Sequence, residues 1–177
     1  YSLGGVTGVK KVKAALLGLD NPHSPAHLET LHQLPEVESV VIWSEREELN
    51  ASLDEVRRDK VERIDTNLAS VLADSDVHFV IACLRNDQSP DVCIQALEAG
   101  KHVVAEKPIG PTAAEVPRVV GVAEETGLKL VLNAPVPISQ GLHHSANSWI
   151  RSVIPSQRSY GMTGCTRSET VSYTHLR

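Results

Sequence analysis

Aromatic residues are nearly missing from this chain: two Trp, three Tyr and one Phe among 177 residues, 3% in all. A core without rings has to come from Val, Leu, Ile and Ala, which suit buried parallel strands. Cysteine is scarce as well. Cys83, Cys93 and Cys165 give an odd count with no C-x-x-C pair, which excludes a disulfide framework and a cysteine zinc site and suits a reducing cytoplasm. Positive charge is in deficit, with 17 Lys and Arg against 22 Asp and Glu and a formal net charge of -5. Binding a phosphate backbone needs clustered Lys and Arg, so no nucleic-acid partner is expected. No apolar run approaches membrane-spanning length, so no membrane partner is expected either. The stretch from Tyr1 to Lys13 lacks the apolar segment of a signal peptide, and a cytoplasmic location follows as the expectation. The chain opens on Tyr1 instead of Met, and its true start is expected upstream.

What remains is an ordinary water-soluble balance, 41% hydrophobic and 22% charged, in a chain long enough for one domain with its own core. Val12 to Gly18 reads as a first buried strand. Ser24 and Pro25 read as N-cap and first residue of a helix with Leu28, Leu31 and Leu34 on one face, stopped by Pro35. Ser39 to Trp43 is a second strand, and Glu45 to Arg58 a charged helix with Leu49, Leu53 and Val56 turned inward. Val61 to Asp65, His78 to Leu84, His102 to Ala105 and Leu128 to Leu132 read as four more strands. Between them lie helices over Asn67 to Ala73, Pro90 to Ala99, and one opened by Thr112-Ala113-Ala114-Glu115 as a capping box and stopped at Gly127. Pro117 should cost that last helix a backbone bond and kink it.

Strand and helix alternate six times, which implies an α/β fold, a doubly wound parallel sheet of Rossmann-like type in three α/β/α layers. Residues 11–137 carry this pattern. Residues 138–154, with a helix expected over His143 to Val153, read as the start of a truncated second domain. From Pro155 to Arg177 there is neither period nor core, so residues 155–177 read as a disordered or artefactual tail.

In a dinucleotide fold, G-x-G-x-x-G after the first strand allows a tight turn and close approach of pyrophosphate to a helix N-terminus. Here the turn is Gly18-Leu19-Asp20-Asn21-Pro22-His23-Ser24-Pro25. Only the first glycine survives, and Asp20 adds bulk and charge at the second position. Asn21 and Ser24 still offer polar caps. The turn reads either as a modified cofactor site or as a plain Asx-turn that binds nothing. At the end of the second strand, Ser44, Glu45 and Arg46 carry mixed signals. A small residue followed by Arg accommodates a 2′-phosphate, whereas Glu45 can hold a free ribose diol. The cofactor therefore reads as NAD or NADP, with a merely solvated helix start as the alternative.

The most specific stretch is Ala99-Gly100-Lys101-His102-Val103-Val104-Ala105-Glu106-Lys107-Pro108. Gly100 can close a helix, Val103 to Ala105 is a buried run, and Glu106 and Lys107 fall at a strand's carboxyl end. This segment resembles the AGKHV…EKP signature of the Gfo/Idh/MocA oxidoreductases, over a similarity running from about Val12 to about Asn133. The resemblance implies an NAD(P)-dependent enzyme moving hydride to or from a carbinol on a small-molecule substrate, often a sugar or cyclitol. It implies that Glu106 lies by the cofactor ribose and nicotinamide and that Lys107 is catalytic, orienting or polarising the reacting hydroxyl. An ammonium near a carbinol favours the developing alkoxide; a surface ion pair is the plainer reading of the same two residues.

Where the family has T-P-N-x-x-H after the fourth strand, this chain has Leu84, Arg85, Asn86 and Ser89. Asn86 matches, Ser89 is expected to cap the next helix, and Arg85 reads as a solvated loop residue. Asn133 falls where the family lines its cleft. Cofactor contacts are thus expected from Gly18, Asp20, Asn21, Ser24, Ser44, Glu45, Arg46, Leu84, Asn86, Ser89 and Glu106. No metal is expected: His23 and His27 are four apart, but no carboxylate or third ligand accompanies them in sequence, and they read as a helix cap and an exposed side chain. The family's D-x-x-x-H histidine finds no match. The substrate domain, and with it the interface of a homo-oligomer, is expected to be absent, leaving this chain inactive alone. A non-catalytic binding or scaffold domain with an eroded turn is the rival reading.

Overall fold

A computed structural model of the chain describes residues 11–19, 21–46, 59–133 and 148–154. Six strands are seen among them: β1 (Val12–Leu17), β2 (Val37–Trp43), β3 (Val61–Asp65), β4 (Val77–Ala82), β5 (His102–Glu106) and β6 (Leu130–Asn133). They form one sheet in the order β3-β2-β1-β4-β5-β6, and every pairing is parallel. The doubly wound Rossmann order expected from the alternation is therefore the observed one.

Period-two side chains explain why both faces are covered. Ala15, Leu17, Val41, Trp43, Val80 and Ala82 point to one face, where α2 (Leu68–Ala73), α3 (Ser89–Glu98) and α4 (Glu115–Thr126) bring Val71, Ala96 and Val119. Ala14, Leu16, Ile42, Phe79, Ile81 and Val104 point to the other, packed with Leu28 and Leu31 of α1 (Ser24–Gln33) and with Ile150 and Val153 of α5 (Ser148–Val153). Residues expected to begin a second domain thus contribute a helix to the face of this sheet.

Three helix starts differ from the sequence reading. Ser24 is not the N-cap of α1. His23 holds that place without a side-chain bond, and the Ser24 hydroxyl donates instead to the Gly18 carbonyl at 3.0 Å. Ser89 likewise does not cap α3; Gln88 precedes the helix, and Ser89 is buried with its Oγ 3.9 Å from Cys93 Sγ. The Thr112 capping box does not form: α4 begins at Glu115 after an uncapped Ala114. Pro117 then lies in the first turn, where N–H groups have no intrahelical partner, so the reason for a kink disappears. Asn67, by contrast, caps α2 by accepting from the Ser70 N–H at 3.3 Å. Gly100 and Gly127 close α3 and α4 with φ of 79° and 67°. The helix expected over Glu45 to Arg58 falls, beyond Arg46, outside the described residues, as does the stretch from His143 to Asn147.

Phe79 is the chain's single phenylalanine and is fully buried. Phe79→Ala is expected to lower unfolding free energy by about 3–5 kcal/mol, read as a fall in the urea midpoint at unchanged slope.

Candidate functional site

In this strand order the chain leaves β1 towards β2 on one side and resumes at β4 on the other. The carboxyl ends of β1 and β4 therefore flank a switch point, the place where open α/β sheets bind ligands. Gly18 follows β1 with φ 98°. A Cβ there would lie 2.4 Å from the Cys83 carbonyl oxygen and 2.7 Å from Leu84 Cδ2, so the first glycine is required by the closeness of the β4 exit. The β1 exit is stitched to both neighbours: Gly18 N–H donates to Trp43 O of β2 at 2.8 Å, and Cys83 N–H, just past β4, donates to Leu17 O at 2.8 Å. Asn21 folds the turn by accepting the His23 N–H on Oδ1 at 2.9 Å. Asp20 lies outside the described residues.

Ser44 is buried, and its hydroxyl is engaged within its own loop, donating to Arg46 O at 3.2 Å and accepting from Arg46 N–H at 3.3 Å. Glu45 is exposed and reaches across to the β4 loop, where Gln88 Nε2 donates to it at 3.0 Å. Behind this bridge opens a cleft of about 580 Å³ whose lining includes Trp43, Glu45, Thr66, Asn67, Asp87 and Gln88. Leu84 is buried beside Gly18, and Asn86 is exposed. Arg85 forms a two-point ion pair with Asp87 at 2.7 and 3.1 Å in the open. Burial pushes the Cys83 thiol up to about 11 and the Cys93 thiol up to about 12, so neither is a thiolate nucleophile at neutral pH.

Glu106 ends β5 almost fully buried. Its Oε1 accepts from His27 Nε2 at 2.6 Å, Asn133 Nδ2 at 2.6 Å and His23 Nδ1 at 3.3 Å. Its Oε2 accepts the backbone N–H of Lys107 at 3.0 Å. Burial pushes this carboxyl up, but the bonds from His27, Asn133 and the Lys107 N–H outweigh it and hold the group below the ordinary carboxylate value. Burial of His27 lowers its pKa despite the carboxylate beside it. The pair at neutral pH is therefore a neutral imidazole donating from Nε2 to a carboxylate. Lys107, one residue on, is exposed, and the Lys107–Pro108 bond is cis. Glu106 meets Lys107 through its backbone N–H, in place of the surface ion pair weighed for this dipeptide.

Two corrections concern histidine. His27 is buried, not exposed, and a carboxylate does accompany it and His23, contributed by a strand 79 residues away. The i, i+4 histidine spacing was the visible signal, and its partner was not local. Among the described residues no group of three or more His, Cys, Asp or Glu is arranged to hold a metal ion, and no helix is long and apolar enough to cross a membrane.

Strand order, switch-point crevice and stitched exits together define a dinucleotide-binding α/β protein. The chain belongs to the Gfo/Idh/MocA oxidoreductase family, whose NAD-binding Rossmann fold matches residues 12–134. The uncharacterized oxidoreductase C26H5.09c of Schizosaccharomyces pombe is 32% identical over 122 residues, 68% of this chain and 33% of that protein. Inositol 2-dehydrogenase of Salmonella typhimurium is 38% identical over 61 residues, 34% of this chain and 18% of that protein. KijD10, a 3-ketoreductase from Actinomadura kijaniata crystallised with TDP-benzene and NADP, superposes with a TM-score of 0.61 at 27% identity, over 70% of this chain and 38% of that one. GenD2 from gentamicin A biosynthesis, crystallised with NAD, shares the fold at a TM-score of 0.64 and 24% identity, over 75% of this chain and 37% of that one. The chain thus spans about a third or less of the curated relatives named here.

Gly18→Ala combines a left-handed φ with a backbone clash and is expected to cost about 2–3 kcal/mol in unfolding free energy, measured by urea titration. The folded-state pKa values of His27 and Glu106 both lie below their ordinary values of 6.5 and 4.5. Each group then binds fewer protons folded than unfolded, so its stabilisation is complete above its ordinary value and is lost as pH falls through the folded one. Stability measured from about pH 8 down to about pH 2 should fall in two stages, His27 first, below 6.5, and Glu106 next, below 4.5, and Glu106→Gln should remove the lower stage.

Proposed function

We propose that this chain is the cofactor-binding part of an NAD(P)-dependent oxidoreductase that moves hydride to or from a carbinol on a small, carbohydrate-like molecule. One observation carries the reading: buried Glu106 sets exposed Lys107 at the carboxyl end of β5, next to the strand exits that flank the switch point. The inositol dehydrogenase and 3-ketoreductase named above point to sugar-like substrates. The cleft between the β2 and β4 exits suits a nucleoside, with Glu45 and Gln88 as polar groups on its wall. A bound nicotinamide supplies the hydride chemistry. Lys107 supplies a cation that favours negative charge on the substrate oxygen. Gly18, Asn21 and Ser24 shape the turn, and Glu45 rather than Arg46 sets the ribose preference, which favours a free 2′-hydroxyl and therefore NAD over NADP.

Calorimetric titration of the chain with NAD⁺, NADH, NADP⁺ and NADPH tests this. Micromolar to low-millimolar binding is expected, tighter for the forms without a 2′-phosphate. No heat from a demonstrably folded chain would shift the reading to the binding or scaffold domain that Asp20, in place of a glycine, also fits. Glu45→Ala should raise NADPH affinity relative to NADH roughly ten-fold by removing a negative charge from the cleft wall.

A further inference from the structure

A carboxylate has about four acceptor positions. At Glu106 four protein donors already converge on them: His27, Asn133, His23 and the Lys107 backbone N–H. Three of them share Oε1, and the Lys107 N–H takes Oε2, so the protein holds the carboxylate by both oxygens. These bonds run into α1, β6 and the turn after β5. The shortest contacts come from His27 and Asn133, both at 2.6 Å, and His27 is itself buried on the first turn of α1.

We propose that His27 is a positioning residue: its Nε2–H fixes the Glu106 carboxylate, whose other oxygen holds the Lys107 backbone N–H, so that α1 sets where Lys107 leaves β5. Glu106 is the middle of this relay. What Lys107 then does rests on the proposed function; how it is held does not. An imidazole suits the task because its ring is rigid and its donor points along a fixed direction, while burial keeps it uncharged. The groups facing Glu106 are His23 and His27 from the start of α1, Cys83 from the β4 exit, Asn133 from β6 and the backbone of Lys107. Cys83 stays protonated, and His23 is half-exposed, with 49% of its side chain open to solvent.

The test uses the whole chain labelled with ¹⁵N-lysine. The Lys107 amide proton should resonate downfield and stay constant from about pH 8 to about pH 5, since it bonds a carboxylate that is ionised throughout. In His27→Leu that signal should move upfield and begin to titrate. His27→Gln returns an N–H donor and should restore it. An unchanged Lys107 amide in folded His27→Leu overturns the proposal. Should that variant not fold, ¹⁵N-histidine labelling of the unmutated chain decides instead: a protonated Nε2 on His27 supports the relay, and a bare Nε2 overturns it. Absence of NADH binding by the unmutated chain counts against the proposed function alone, because the Lys107 amide still reports on His27.

Discussion

A parallel sheet covered by helices on both faces gives polar side chains almost no place along its strands. Every other feature of this chain follows from that constraint. Successive residues of β1, β2, β4 and β5 enter two separate apolar clusters, so charge and hydrogen-bonding capacity collect where the strands end. At the carboxyl ends, Ser44, Leu84, Glu106 and Asn133 arrive side by side from segments far apart in the chain. The scarcity of aromatic rings fits the same constraint: β-branched and small residues fill a doubly covered sheet without large side chains to accommodate.

The strands were legible because their signal is local and repeated. Val103-Val104-Ala105 and Val40-Val41-Ile42 read as buried runs and are buried runs. The parallel, doubly wound sheet followed from the alternation of strand and helix. Helix starts were less legible because Ser24 and Ser89 carry hydroxyls that could bond locally or across the fold. The tertiary options, the Gly18 carbonyl and Cys93 Sγ, were invisible in a linear reading. Thr112 followed cap grammar, yet its helix begins three residues later.

The site was half legible for the same reason. Glu106 and Lys107 stood out through their neighbours in sequence, Gly100 before and Pro108 after. His27 did not, because the carboxylate that gives it a purpose is 79 residues away. Gly18 was read as the surviving glycine of a cofactor turn, and its nearest constraint is the protein's own Cys83 carbonyl. That difference separates the first glycine of the turn from the positions after it. The first is demanded by the fold, and the others answer to whatever the turn holds.

The last helix has a practical bearing. Ile150 is fully shielded from solvent and sits with Phe79 and Val104 on the sheet face opposite α3 and α4. Lys129 ties the same helix down through the Ser152 carbonyl. A shortened polypeptide stopping after β6 would uncover an oily strip over the middle of the sheet. Such a piece would self-associate through that strip, and any weakness in its ligand binding would reflect the missing cover as much as the site. Packing on this face of the sheet therefore reaches Ile154, past the residues whose sequence looks like a Rossmann domain.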